Sequence, residues 1–195
     1  MDAKTFFLEQ HAITAGVVDR FVLGGVEDAD LRRRPAVELN PLAWLVWHAA
    51  RWEDVIVNAW VAQRAQVYDA TPWCQRLGVE TRHVGTAMTS SEVSTLADQV
   101  DLAELRAYRA ATSAATADAI GDLDPGDLQA TISRDRLAVG APDGAYHNGR
   151  AAWMDDFWAD HTVSWFLAFL NLHAAEHLLG EALVVRSQLG IPLGL

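Results

Sequence analysis

The sequence has one cysteine, Cys74, so no disulfide can close within the chain, and a reducing cytoplasm is the expected setting. It has no excess of basic residues: 15 Lys and Arg against 26 Asp and Glu give a net charge of -11, which argues against nonspecific attraction to nucleic acid or an anionic membrane. A small anionic substrate stays open, because a metal ion or a few arginines can reverse the field inside one cleft. No charge-free apolar run reaches the roughly 18 residues of a membrane span, and the N-terminal stretch lacks the pattern of a secretory signal. A soluble, cytoplasmic protein is therefore expected. Also missing are a GxGxxG loop, a phosphate-binding Walker loop, a CxxC pair, any internal repeat and any sustained strand-like alternation.

What is present is ample apolar material, 51% of 195 residues, with only 21% charged, enough for one domain over residues 1–195. Phe6, Phe7, Ile13, Val17 and Phe21 recur at mostly three-to-four-residue intervals, predicting a helix over 3–23 that stops at Gly24 and Gly25. A second helix is expected over 40–65, with Asn40 as its cap and Pro41 at its first position. The "TSSE" and "DLAE" stretches start a third helical region over 89–121, bent or divided near Val100. A final helix is expected from about 155 or later to 189, before Gly190 and Pro192. The passages 66–90 and 122–154 read as long connections, the second a candidate wall or lid of a cleft. The fold class is all-α, a four-helix bundle with long crossover connections.

In the final helix, "NLHAAEHLLG" sets His173 and His177 about 40° apart around the axis and roughly 6 Å apart along it. Extending that helix places Gly180 and Val184 near the same inward face. His48 lies within roughly 40° of Trp44 and Trp52 on the apolar stripe of the second helix. Three imidazole nitrogens on facing helices form a metal-ligand set that leaves positions open for water or substrate. Buried histidines held by ordinary hydrogen bonds are the alternative at each position.

Glu176 lies about 100° from His177, suited to a pocket edge or to orienting a ligand; with Ala174 after His173, the zincin HExxH template is absent. His11 can approach the centre from the first helix, whereas His161 is too far along a straight helix to share an ion with His173, and His83 and His147 fall in connections. Arg51, Arg150 and Arg186 are candidates for holding an anionic substrate or cofactor, although scattered arginines more often cover surface. Trp73 and Trp153 are pocket candidates from the connecting segments, and Cys74 has no neighbour in sequence that would activate a thiol.

The pairing of "NPLAWLVWHAARWEDVIVNAW" with "NLHAAEHLLGEALVVRSQLG" resembles the DinB-like family, which is related to thiol-dependent maleylpyruvate isomerases and other small-thiol transferases. The resemblance covers nearly the whole chain. It implies a four-helix bundle with a divalent metal (zinc favoured, or nickel or iron) on His48, His173 and His177, and often a homodimer. It further implies a low-molecular-weight thiol such as mycothiol, bacillithiol or glutathione, added to a small electrophilic substrate. Metal-assisted hydrolysis, with Glu176 accepting a proton from water, and a noncatalytic metal-binding or stress-associated role are the other readings.

Overall fold

The structure, a computed structural model, describes residues 2–36, 38–70, 72–141, 146–147 and 149–192. Its first helix, α1 (Ala3–Val17), winds on through a π-helical stretch, Val18–Leu23, and stops at the glycine pair expected from sequence. After the short α2 (Asp28–Arg32) comes α3 (Leu42–Glu53), also extended by a π stretch, Asp54–Val61. The cap differs from expectation: Pro41 holds the N-cap position and Leu42 is the first helical residue. Asn40 is thereby freed to bond elsewhere.

The 66–90 connection contains two short helices, α4 (Val67–Ala70) and α5 (Trp73–Leu77). The third region divides at Val100 into α6 (Ser90–Gln99) and α7 (Leu102–Gly121). Thr89 and Glu92 form the expected reciprocal capping box, and Asp101 accepts from the Glu104 amide. The 122–154 connection holds a 3-10 turn (Pro125–Gln129) and α8 (Arg134–Gly140), and α9 (Met154–Trp158) starts at its end. Its segments 142–145 and 148 lie outside the described residues. The last helix starts at Val163, because β1 (Thr131–Ile132) pairs antiparallel with β2 (His161–Thr162) just before it. Two residues per strand are too few to show an alternating pattern. The helix then runs as α10 (Val163–Ala174), a π stretch (Ala175–Glu181) and α11 (Ala182–Gln188).

Four long helices form the bundle: α3 packs on α7 and α10, and α1 on the same two. Two apolar clusters fill it. One takes α3 up to Ala50 together with Leu178 and Val185; the other takes Trp52 and Trp60 with Trp158, Phe166 and Leu170. The clusters meet at the level of His48 and His173, so the two imidazoles sit at a seam between apolar blocks. Among the described residues no helix is long and apolar enough to cross a membrane.

The π stretch in the last helix changes the inward face. An i→i+5 turn holds one more residue than an α turn, about 100° of phase, so the face read from strict α spacing slips beyond His177. Gly180 and Val184 are exposed, and Ala182, Val185 and Arg186 are buried instead. A Cβ at Gly180 would meet only Ala175 O, at an ordinary 3.6 Å, so close packing does not explain that glycine.

Candidate metal centre

His48, His173 and His177 come together from α3, α10 and the π stretch that follows it. Their ring centroids are 5.1 Å (His48 to His173), 5.2 Å (His48 to His177) and 4.6 Å (His173 to His177) apart. One nitrogen from each lies within 4.8 Å of the other two, and no other group of three or more such side chains forms among the described residues. A divalent ion bonded at about 2.1 Å spans donors up to about 4.2 Å apart, so small ring movements close the set around one ion.

The surroundings keep His48 and His173 as neutral donors. Burial, and then the nearby His177, push the His48 pKa down from 6.5 to about 3, against the opposing pull of the Val84 carbonyl. Burial also holds His173 well below its ordinary value, with His48 and His177 adding to the shift. His48 Nδ1 lies 2.5 Å from Val84 O. A carbonyl only accepts, so Nδ1 carries the hydrogen and the Nε2 lone pair is free for an ion. His177 Nδ1 likewise faces Glu181 Oε2 at 3.3 Å. His173 Nδ1 is buried with no hydrogen-bond partner, a polar deficit that protein atoms leave unmet. Two oriented imidazoles beside a third with an unmet nitrogen fit a divalent cation better than a closed hydrogen-bond network.

The open side of the triad faces a cleft of about 440 Å³ walled by Trp44, Trp52, Trp153, Phe157, Trp158 and Phe169. Trp44 stacks on His48 with centroids 4.4 Å apart and planes 14° apart, fixing the ring from one face. Glu176 is exposed and lines the same cleft without belonging to the three-histidine set.

Several other sequence candidates lie elsewhere. Arg51 is 1% exposed and donates to Asp54, Tyr108, Gln66 and the Arg82 carbonyl. Arg186 donates to the carbonyls of Phe21, Val22 and Gly24, and to that of Pro192. Neither arginine is among the residues that line the cleft, and each guanidinium bonds several internal carbonyls or side chains. Arg150 pairs with Glu92 at the surface. His11 bonds Glu53 at 2.8 Å and shares a cavity of about 30 Å³ with His173, outside the triad. His161 stacks on Trp165 at 3.7 Å, His83 accepts from the Gly85 amide, and His147 pairs with Asp155. Trp73 is buried against Tyr108, whereas Trp153 is 60% exposed at the cleft.

Sequence reasoning missed Glu181 and Asn40. Oε1 of Glu181 accepts from both the backbone and side-chain amides of Asn40. Burial opposes ionisation of Glu181, but bonds from His177 and Asn40 outweigh it and hold the carboxyl below its ordinary range. The available signal was spacing: Glu181 follows His177 by four residues, a carboxylate one turn from a candidate ligand.

The architecture and site define an all-α bundle with a three-histidine set that can hold a metal ion at the floor of an aromatic cleft. The family model of the DinB superfamily matches residues 20–179, and the chain belongs to that superfamily. Among solved structures, it is similar to a conserved protein from Enterococcus faecalis, at 17% identity and a TM-score of 0.72, over 97% of this chain and 99% of that one. At that identity the likeness speaks for the fold alone. No curated protein matches the sequence.

Proposed function

We propose that this chain is a divalent-metal-dependent enzyme that transfers, or reversibly adds, a low-molecular-weight thiol to a small electrophile. The observation that carries the reading is the convergence of His48, His173 and His177 beside the aromatic cleft. These three side chains hold the ion, zinc in preference to nickel or iron. When bound, it supplies the positive charge that favours the thiolate form of a thiol such as mycothiol, bacillithiol or glutathione.

The chain's own residues supply the rest. Val84 and Glu181 keep two of the imidazoles in the donor tautomer. Glu176, accessible from the cleft, takes the proton that the thiol gives up. Trp44, Trp52, Trp158 and Phe169 exclude water from one side and offer faces to an apolar electrophile. An isomerase and a transferase use this arrangement equally, since each begins with addition of sulfur to an electrophilic carbon. The reading also includes a homodimer, which sedimentation of the purified chain tests.

The deciding experiment is metal stoichiometry of the metal-replete wild type beside His48→Ala and His173→Ala, followed by calorimetric titration of the loaded protein with the three thiols. One ion per chain, lost in both variants, supports the site; equal stoichiometry in all three proteins removes it. Thiol binding supports the transferase reading. A loaded protein that binds none of the thiols turns the assignment to hydrolysis, with Glu176 accepting the proton of water, or to a noncatalytic role.

A further inference from the structure

The segment 82–85 passes behind His48 and belongs to no helix or strand. Its Val84 carbonyl nevertheless sets the tautomer of His48, through the 2.5 Å contact to Nδ1. A carbonyl on an irregular segment fixes a ring only if the segment is itself held. The holding contact comes from one turn further along the same helix: Arg51 Nη2 donates to Arg82 O at 2.7 Å.

The guanidinium has little freedom. Nη2 also donates to Gln66 at 2.8 Å, and Nη1 donates to Tyr108 at 2.9 Å and to Asp54 at 3.2 Å. The planar group is therefore locked between α3, α7 and the connection. A buried ion pair contributes uncertainly to stability, because desolvation offsets its attraction, so stability alone is a poor reason to place one here.

Gly85 completes the arrangement. A Cβ there would fall 2.7 Å from the Trp47 ring, 3.1 Å from the Trp44 ring and 3.4 Å from His48 Nδ1, and its φ of +97° lies in the region that favours glycine. The segment lies as close to His48 as a bare backbone allows.

We infer that Arg51 and Gly85 are positioning residues for His48: Arg51 anchors the segment through Arg82 O, and Gly85 lets that segment bring Val84 O onto Nδ1. This inference rests on the reading of the triad as a metal site only for its effect on metal affinity. The effect on the imidazole itself exists without metal.

The test uses the full chain in two measurements. Zinc affinity of the stripped protein is measured against a competing chelator, and the His48 tautomer of the metal-free protein is read from side-chain 15N shifts. The variants are Arg51→Lys, whose ammonium cannot span the same four acceptors, Gly85→Ala, and the control Tyr108→Phe, which leaves the Arg82 contact in place. Arg51→Lys and Gly85→Ala are expected to bind zinc about 10- to 100-fold more weakly. Both should also move His48 from the Nδ1–H form towards a mixture. Tyr108→Phe is expected to lower the melting temperature while zinc affinity stays within about twofold of wild type.

Wild-type zinc affinity and an unchanged His48 tautomer in the folded Arg51→Lys and Gly85→Ala proteins overturn the inference. So does a loss of affinity in Tyr108→Phe as large as that in Arg51→Lys, which marks a general loss of packing. Should Arg51→Lys not fold, Gly85→Ala decides by the same readings. Absence of zinc binding by the wild type removes the metal reading, and the tautomer comparison still decides the positioning role.

Discussion

Asn40 and Glu181, 141 residues apart in the chain, are joined twice: the backbone and side-chain amides of Asn40 both donate to Glu181 Oε1 at 2.9 Å. The other carboxylate oxygen faces His177 Nδ1 at 3.3 Å, so Asn40, two residues ahead of α3, helps aim an imidazole on the last helix. Glu181→Gln keeps the shape and removes the charge that complements a ligand imidazole. Zinc affinity is expected to fall about tenfold, measured by chelator competition. An affinity unchanged from wild type would show that Glu181 does not act on the site through His177.

Glu176 sits five residues earlier with no part in that clamp. In Glu176→Gln, zinc affinity is expected to stay near wild type, and folding stability within about 0.5 kcal/mol, since the side chain is exposed. Thiol addition, followed with a chromogenic electrophile, should slow about 100-fold with little change in KM. A wild-type rate removes Glu176 from proton transfer.

The metal-free protein should lose stability in mild acid. His48, at about 3, and His173, well below 6.5, fold as neutral rings, whereas in the unfolded chain both protonate near 6.5. Below that value the unfolded chain binds more protons, so the stability contribution is full above pH 6.5 and is lost as pH falls towards the folded values. Urea unfolding should give a nearly flat free energy from about pH 8 to 7 and a decline between about pH 6 and 4. Each of the two histidines adds a slope approaching about 1.4 kcal/mol per pH unit. His48→Gln should flatten part of that decline; a variant profile parallel to wild type contradicts the assignment.

Two glycine substitutions should act in opposite directions. At Gly140 a Cβ would lie 2.7 Å from Ala59 O and 3.0 Å from the Trp60 ring, where α8 packs on the π stretch of the second helix. Gly140→Ala is expected to destabilise by about 1–3 kcal/mol. Gly180→Ala, exposed and uncrowded within a helix, should stabilise by up to about 1 kcal/mol. Chemical denaturation of both variants reads the two signs directly.

The sequence by itself determined the elements whose causes are local. Apolar spacing specified the long helices of an all-α bundle, "TSSE" and "DLAE" marked two helix starts that the structure keeps, and the HxxxH spacing put His173 and His177 on one side of one helix. The core-facing stripe singled out His48, and the structure brings it to the other two. Tertiary structure decided whatever depended on partners distant in the chain. It turned Asn40 from a cap into a clamp on Glu181, buried Arg51 among acceptors from three segments, and laid the Val84 carbonyl against His48. It also inserted the π stretch that moved Gly180 and Val184 out of the inward face. Helical periodicity records which side of its own axis a residue occupies. Which carbonyl, carboxylate or cleft that side meets depends on packing between segments far apart in the chain, and no local spacing encodes it.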